Sequence, residues 1–142
     1  MTMLLPGPTG ETNTLAFSSR GRVFCAANDV ASLLNQIAAA LATGNTVVIE
    51  DKNKGLLPSN LPKLVQEAIS IGKADEVQFA LLARDVANDY KLSLAQQNGA
   101  IICVAETDAK SEIPLWRLLA ERALCVNTTA AGGNASLMSL QS

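Results

Sequence analysis

Gln36-Ile37-Ala38-Ala39-Ala40-Leu41-Ala42-Thr43-Gly44-Asn45-Thr46-Val47-Val48-Ile49 reads as an alanine-rich helix, a glycine stop and a buried strand. Apolar residues recur at helical spacing from Val30 through Leu33, Leu34, Ile37 and Leu41, which predicts a helix over 30–42. Asn28-Asp29 stand before it as N-cap candidates, because a short polar side chain can accept from the orphan amides of the first turn. Gly44 suits the left-handed position after a helix. The strand 46–49 has no polar alternation, as expected of a parallel strand covered on both faces.

Working outward, 22–27 (Arg-Val-Phe-Cys-Ala-Ala) is a second short apolar run and predicts a buried strand, with Ser18-Ser19-Arg20-Gly21 as the turn before it. Residues 13–17 alternate weakly and read as an edge strand. Residues 52–59 read as a polar loop. A helix is predicted to start at Ser59-Asn60-Leu61-Pro62, with Leu61, Leu64, Val65, Ala68 and Ile69 as its stripe and Gly72 as its stop. Then come a strand over 76–83, a helix over 84–97 with Val86, Tyr90, Leu94 and Ala95 inward, a stop at Asn98-Gly99, a strand over 100–105, and a short helix over 114–121 carrying Trp116. Strands alternating with helices argue for an α/β fold with a parallel sheet and flanking helices. The tail departs from that pattern. Residues 123–128 and 136–140 are strand-like around a turn-prone 130–134, which predicts a C-terminal β-hairpin flap. The resulting division is an irregular lead-in over 1–12, an α/β domain over 13–121 and a flap over 122–142. So small a flap cannot build its own core and needs a surface to lie on.

The bulk properties narrow the chemistry. The chain has 142 residues, 49% of them apolar, and a net charge of −2, which suits one globular domain and gives no basic stripe for nucleic acid. It has no histidine, so the commonest general base and transition-metal ligand are missing. Cys25, Cys103 and Cys125 are widely separated and lack metal-ligand spacing. Each sits in an apolar run, and all three are expected to be buried, reduced thiols. No apolar run reaches membrane-spanning length and no export signal is visible, so a cytoplasmic location is expected.

The 36–49 run is similar in wording to the cofactor-domain crossover of the aldehyde dehydrogenase superfamily. The tail, Glu121-Arg122-Ala123-Leu124-Cys125-Val126-Asn127-Thr128-Thr129-Ala130-Ala131-Gly132-Gly133-Asn134-Ala135-Ser136-Leu137-Met138, resembles the C-terminal motif of the proline utilization A family, and Leu5-Pro6-Gly7-Pro8-Thr9-Gly10-Glu11-Thr12-Asn13 resembles the join after that family's dehydrogenase module. The resemblance implies a Rossmann-like domain without catalysis. The parent polypeptide would be an FAD-dependent proline dehydrogenase fused to an NAD-dependent glutamate-semialdehyde dehydrogenase. Its flap would pack on the catalytic aldehyde dehydrogenase module, help cover the cavity through which the intermediate passes, and support homo-oligomers.

Residue by residue, the family's chemistry is missing. Where the family's crossover strand ends in Lys-Pro, this one ends in Glu50-Asp51, which places negative charge where an anionic dinucleotide would lie. The family's oxyanion asparagine stands in an aromatic and proline-rich turn; here the turn is Ala26-Ala27-Asn28-Asp29-Val30. The family's glycine-bearing phosphate turn is replaced by Phe79-Ala80-Leu81-Leu82-Ala83-Arg84, and without glycine the backbone cannot approach a pyrophosphate closely. None of the cysteines lies in the catalytic motif. The expectation is therefore no catalytic, cofactor or metal site in this chain.

Each remaining feature has two readings. Arg84 could attract an anion or be solvated. Glu50-Asp51 could be a metal pair, but a solvated strand end fits a lone acidic pair better. Gly132-Gly133-Asn134 could be a phosphate nest or a hairpin turn. Trp116 could anchor an interface or fill core. Asn127-Thr128-Thr129 matches a glycosylation sequon, of little meaning without an export signal. The interface is expected at Asn127, Thr128, Thr129, Gly132, Gly133, Asn134, Ser136 and Leu137. The alternative function is a degenerate nucleotide-binding module.

Overall fold

The structure is a computed structural model that describes residues 2–110 and 112–127. The chain divides into two compact units, one drawn from Met1–Ser18 and Glu121–Ser142, the other from Ser19–Ala120.

The larger unit is built on a five-stranded parallel sheet. Its strands are β3 (Arg22–Ala26), β4 (Thr46–Ile49), β5 (Ile69–Ile71), β6 (Phe79–Ala83) and β7 (Cys103–Thr107), in the spatial order β5-β4-β3-β6-β7. The first strand lies in the middle, and the chain builds outward first on one side and then on the other. Val23 pairs with Val47 on one side and Phe79 on the other. The continuous apolar runs become the core: Val23, Phe24, Cys25, Val47, Val48, Ile49, Leu81 and Leu82 are fully buried. This is the doubly covered parallel strand that the 46–49 run predicts.

Helix α1 spans Val30–Ala42, as the apolar spacing predicts. The Asp29 side chain accepts from the Ser32 amide at 2.9 Å and caps it, and Gly44 takes φ 75° just beyond its end. Its inward face differs from the predicted stripe. Ser32, Leu33, Gln36, Ile37, Ala39 and Ala40 are buried, whereas Val30 is exposed. The stripe rotates because Gln36 is anchored inward, its Nε2 donating to the Ala26 carbonyl at 3.1 Å and to Thr107 Oγ1 at 2.8 Å.

The segment after β4 departs most from expectation. The predicted polar loop begins with a short helix α2 (Asp51–Lys54), and the predicted long helix shrinks to α3 (Lys63–Glu67). Ile69-Ser70-Ile71 extends instead as β5, because the free edge of β4 offers it a ladder: the Val47 amide donates to the Ala68 carbonyl and the Gly72 amide to the Ile49 carbonyl, both at 2.9 Å. Leu64, expected in the stripe, is exposed. Strands β6 and β7 both start three residues later than predicted. Helix α4 (Ala87–Ala95) buries Ala87, Tyr90 and Leu94, with Val86 buried just before it, but Ala95 is exposed. A 3₁₀ turn at Leu115–Leu118 buries Leu118 and leaves Trp116 70% exposed, so Trp116 is not core. Cys25 is buried, but Cys103 and Cys125 are exposed, which corrects the expectation of three buried thiols.

The smaller unit holds an antiparallel three-stranded sheet in the order β1-β2-β8, from β1 (Thr2–Leu5), β2 (Glu11–Ser19) and β8 (Leu119–Asn127). β1 lies inside the stretch expected to be an irregular lead-in. The weakly alternating 13–17 segment belongs to β2, which has a neighbour on each side and so is not an edge strand. Met3 pairs with Leu15 and Leu5 with Asn13. β8 is the predicted first arm of the flap; its return arm lies outside the described residues.

Candidate functional site

In a parallel sheet whose connections leave the central strand in opposite directions, ligands bind at the carboxyl ends of the strands where the direction changes. Here that place lies between β3 and β6, under the turns 27–29 and 84–86. A solvent-exposed hydrogen bond between the chain's own side chains spans it. Asn28 Nδ2 donates to Asp85 Oδ2 at 2.9 Å, tying the two turns together across the change of direction. The Asp29 carboxylate satisfies the first turn of α1, and the Ser32 hydrogen bonds hold its pKa below the usual carboxylate range. A helix start that could bind a phosphate thus already carries an anion.

Glu50, at the end of β4, is equally engaged. The Tyr90 hydroxyl donates to its Oε2 at 2.7 Å, and Lys52 Nζ lies 3.1 Å from the same oxygen and 4.9 Å from the Tyr90 ring centroid. Burial pushes the Tyr90 hydroxyl pKa up, which keeps it a donor. The Tyr90 ring in turn meets Phe24 edge-on, with centroids 5.2 Å apart. Asp51 is exposed in α2, and no group of three acidic or cysteine side chains placed to hold a metal occurs among the described residues. Arg84 is exposed just after β6, its amide donating to the Thr107 carbonyl at 3.0 Å. Cys25 is fully buried, and burial raises its thiol pKa far above neutrality, so it is no nucleophile at neutral pH.

The second candidate is the antiparallel sheet of the smaller unit. Residues 121–127 of β8 are all exposed, as is the whole of β1. The exposed side chains include Leu4 at 75%, Leu124 at 51% and Val126 at 45%. Thr14 Oγ1 donates to the Leu124 carbonyl at 3.5 Å, and β2 is the neighbour of β8 among the described residues. Of the predicted interface, Asn127 is the last residue of β8 and exposed; Thr128, Thr129, Gly132, Gly133, Asn134, Ser136 and Leu137 lie outside the described residues. Sequence reasoning missed β1 as part of this surface, because Pro6, Gly7 and Pro8 made its neighbourhood read as irregular. It also missed Asp85 as the partner of Asn28, a pairing across 57 positions that no local pattern signals.

No protein-family model matches the chain. Among curated proteins it is 40% identical to bifunctional protein PutA of Escherichia coli (strain K12) over 146 residues, covering 96% of this chain and 11% of that protein. Bifunctional protein PutA of Rhizobium meliloti is 36% identical over 151 residues, covering 96% of this chain and 12% of its own. Among solved structures, proline utilization A (PutA) with proline bound in remote sites superposes with a TM-score of 0.54 at 22% identity, over 75% of this chain and 13% of that one. Apo indole-3-acetaldehyde dehydrogenase gives 0.54 at 15% identity, over 75% of this chain and 29% of that one. The structural matches establish an aldehyde-dehydrogenase-like α/β fold. The chain spans about a tenth of the length of the curated relatives it matches, and along 96% of its own length it is homologous to the bifunctional PutA proteins.

Proposed function

We propose that this chain is a non-catalytic structural and interaction domain of a bifunctional enzyme that oxidises proline to glutamate. In this reading the antiparallel sheet and the residues after it pack on the aldehyde dehydrogenase module of the same polypeptide, help cover the cavity through which the intermediate travels, and contribute to oligomerisation. FAD and NAD would belong to the catalytic modules. The observation that carries the reading is the exposure of a three-stranded sheet with Leu4, Leu124 and Val126 in solvent. So small a sheet is marginal until one face is covered, and exposed apolar side chains of this kind mark a docking face.

The test is to delete 121–142 from a PutA polypeptide carrying this domain and follow NADH formation from proline. A lag absent from the parent enzyme, with oxidation of directly supplied semialdehyde retained, supports the reading; an unchanged time course contradicts it.

A second reading, a degenerate nucleotide-binding module, is favoured by the parallel strand order, which retains a change of direction between β3 and β6 where folds of this kind bind ligands. The engagement of Glu50 by Tyr90 and Lys52, and the Asn28–Asp85 bridge over the crevice, argue against it. Saturable binding of NAD or AMP to the chain in calorimetry would favour this second reading.

A further inference from the structure

We infer that the cleft at the amino-terminal ends of β6 and β7 is a binding site for a small carboxylate with an apolar body, anchored by Arg20. The cleft is a half-open depression of about 450 Å³ whose lining residues all belong to the larger unit. Its lining mixes apolar side chains, from buried Val77 to exposed Ile101 at the rim, with the polar Gln78, Gln97 and Asn98, and Arg20 lines it. The Arg20 guanidinium is held on two sides. Its Nε donates to the Arg117 carbonyl at 2.6 Å, and it lies 5.6 Å from the centroid of the Phe79 ring. Among the described residues its two terminal nitrogens have no hydrogen-bond partner, so the residue that lines the cleft keeps free donors of the planar kind that pairs with a carboxylate.

The backbone beneath Arg20 is equally fixed. Gly21 turns at φ 121°, and its amide donates to Asn45 Oδ1 at 2.9 Å. Asn45 is buried, and its own amide donates to Thr43 Oγ1 at 2.8 Å and to the Leu118 carbonyl at 3.0 Å. Gln78 Oε1 accepts from the Arg22 amide at 2.7 Å, and Gln97 Nε2 bonds the Ala74 carbonyl, which stiffens the polar wall. A fork held this way loses little freedom on binding, so its hydrogen bonds are retained as affinity. Glu76 lines the same cleft, its side chain 3.8 Å from Arg22 and its backbone at φ 53°. Strained non-glycine backbone of that kind clusters at ligand-binding sites. An amino acid could therefore place its carboxylate on Arg20 and its ammonium near Glu76, whereas a simple acid would use Arg20 alone.

The test is a chemical-shift titration of the 142-residue chain with propionate, propionamide, valine and proline. Saturable shifts at Arg20, Ile102 and Cys103 with propionate, and none with propionamide, are expected. Arg20→Ala is expected to weaken binding about tenfold or more. Ala100→Phe, which fills the cleft and leaves the Arg20 contacts alone, is expected to abolish binding with the fold intact by circular dichroism. Tighter binding of valine or proline than of propionate assigns the site to amino acids; equal binding assigns it to simple carboxylates. No saturable shift with any acid, or equal affinity of wild type, Arg20→Ala and Ala100→Phe, overturns the inference. Neither result bears on the docking of the antiparallel sheet: of its residues Ala120 alone lines this cleft, and the exposed apolar side chains Leu4, Leu124 and Val126 do not.

Discussion

Asn28 Nδ2 donates to Asp85 Oδ2 at 2.9 Å across the change in strand direction between β3 and β6, the end of the sheet at which folds of this kind receive a nucleotide. Asp29 beside them caps α1 with a carboxylate, and Glu50 is held by Tyr90 and Lys52. The carboxyl end of the sheet has thus become a hydrogen-bonded surface that ties turns together. On that account the chain gives no saturable heat with NAD or AMP in calorimetry, and the Asn28→Ala, Asp85→Ala double variant gives none either, because the negative charges of Asp29 and Glu50 remain.

Removal of the α1 cap lowers stability in a pH-dependent way. The folded pKa of Asp29 lies below its unfolded value through its bonds with Ser32, so its contribution is fully present above the unfolded carboxylate pKa and is lost as pH falls through the folded one. Asp29→Ala should therefore lower Tm at neutral pH, and the gap to wild type should close on acidification. Thermal melts at a series of pH values check this.

Leu81 is fully buried in β6, between β3 and β7. Leu81→Ala leaves a void in a close-packed interior and should cost about 2–5 kcal/mol. The check is the urea midpoint, read with an unchanged slope.

Gly21 holds a backbone conformation that an L side chain rarely adopts. Its φ is 121°, and an added Cβ would lie 2.7 Å from Gln78 Oε1. Gly21→Ala should destabilise the larger unit by more than the ~1 kcal/mol of a simple glycine-to-alanine effect and of opposite sign. Equal stability of the two proteins in denaturant would contradict the pinned turn.

Tyr90→Phe keeps the ring contact with Phe24 and removes one hydrogen bond to Glu50. It should cost about 1 kcal/mol, and the cost should shrink in a Glu50→Gln background. A double-mutant cycle in urea measures the coupling.

Alone in solution, the chain should associate through the sheet of its smaller unit, since apolar side chains of β1 and β8 are exposed among the described residues and exposed strand edges pair readily. Light scattering should show a mass above the monomer at high concentration, reduced by Leu124→Lys. A monomeric mass for wild type at every concentration would contradict this.

Where local chemistry decided the structure, it could be read in the sequence. Helix α1, its Asp29 cap, its Gly44 exit and the strands on either side follow from periodicity, a capping carboxylate and a left-handed glycine, and all act within a few residues. Where a distant partner decided, it could not. Ile69-Ser70-Ile71 completes a helical stripe on paper but becomes a strand because β4 has an open ladder. Val30 leaves the core because Gln36 is drawn toward Ala26 and Thr107. β1 exists because Thr2–Leu5 finds β2. The site residues divide the same way: Glu50 and the 79–84 run could be compared with the family's pattern from sequence alone, whereas the Asn28–Asp85 bridge and the Arg20 fork depend on contacts between residues far apart in sequence.

The most direct measurement is amide hydrogen exchange across β8, in the isolated chain and in a PutA polypeptide that contains the aldehyde dehydrogenase module. Docking of the sheet predicts that the amides of residues 121–127 exchange markedly more slowly in the larger protein, while those of β3 and β6 are alike in both. Equal exchange of β8 in the two proteins would contradict it.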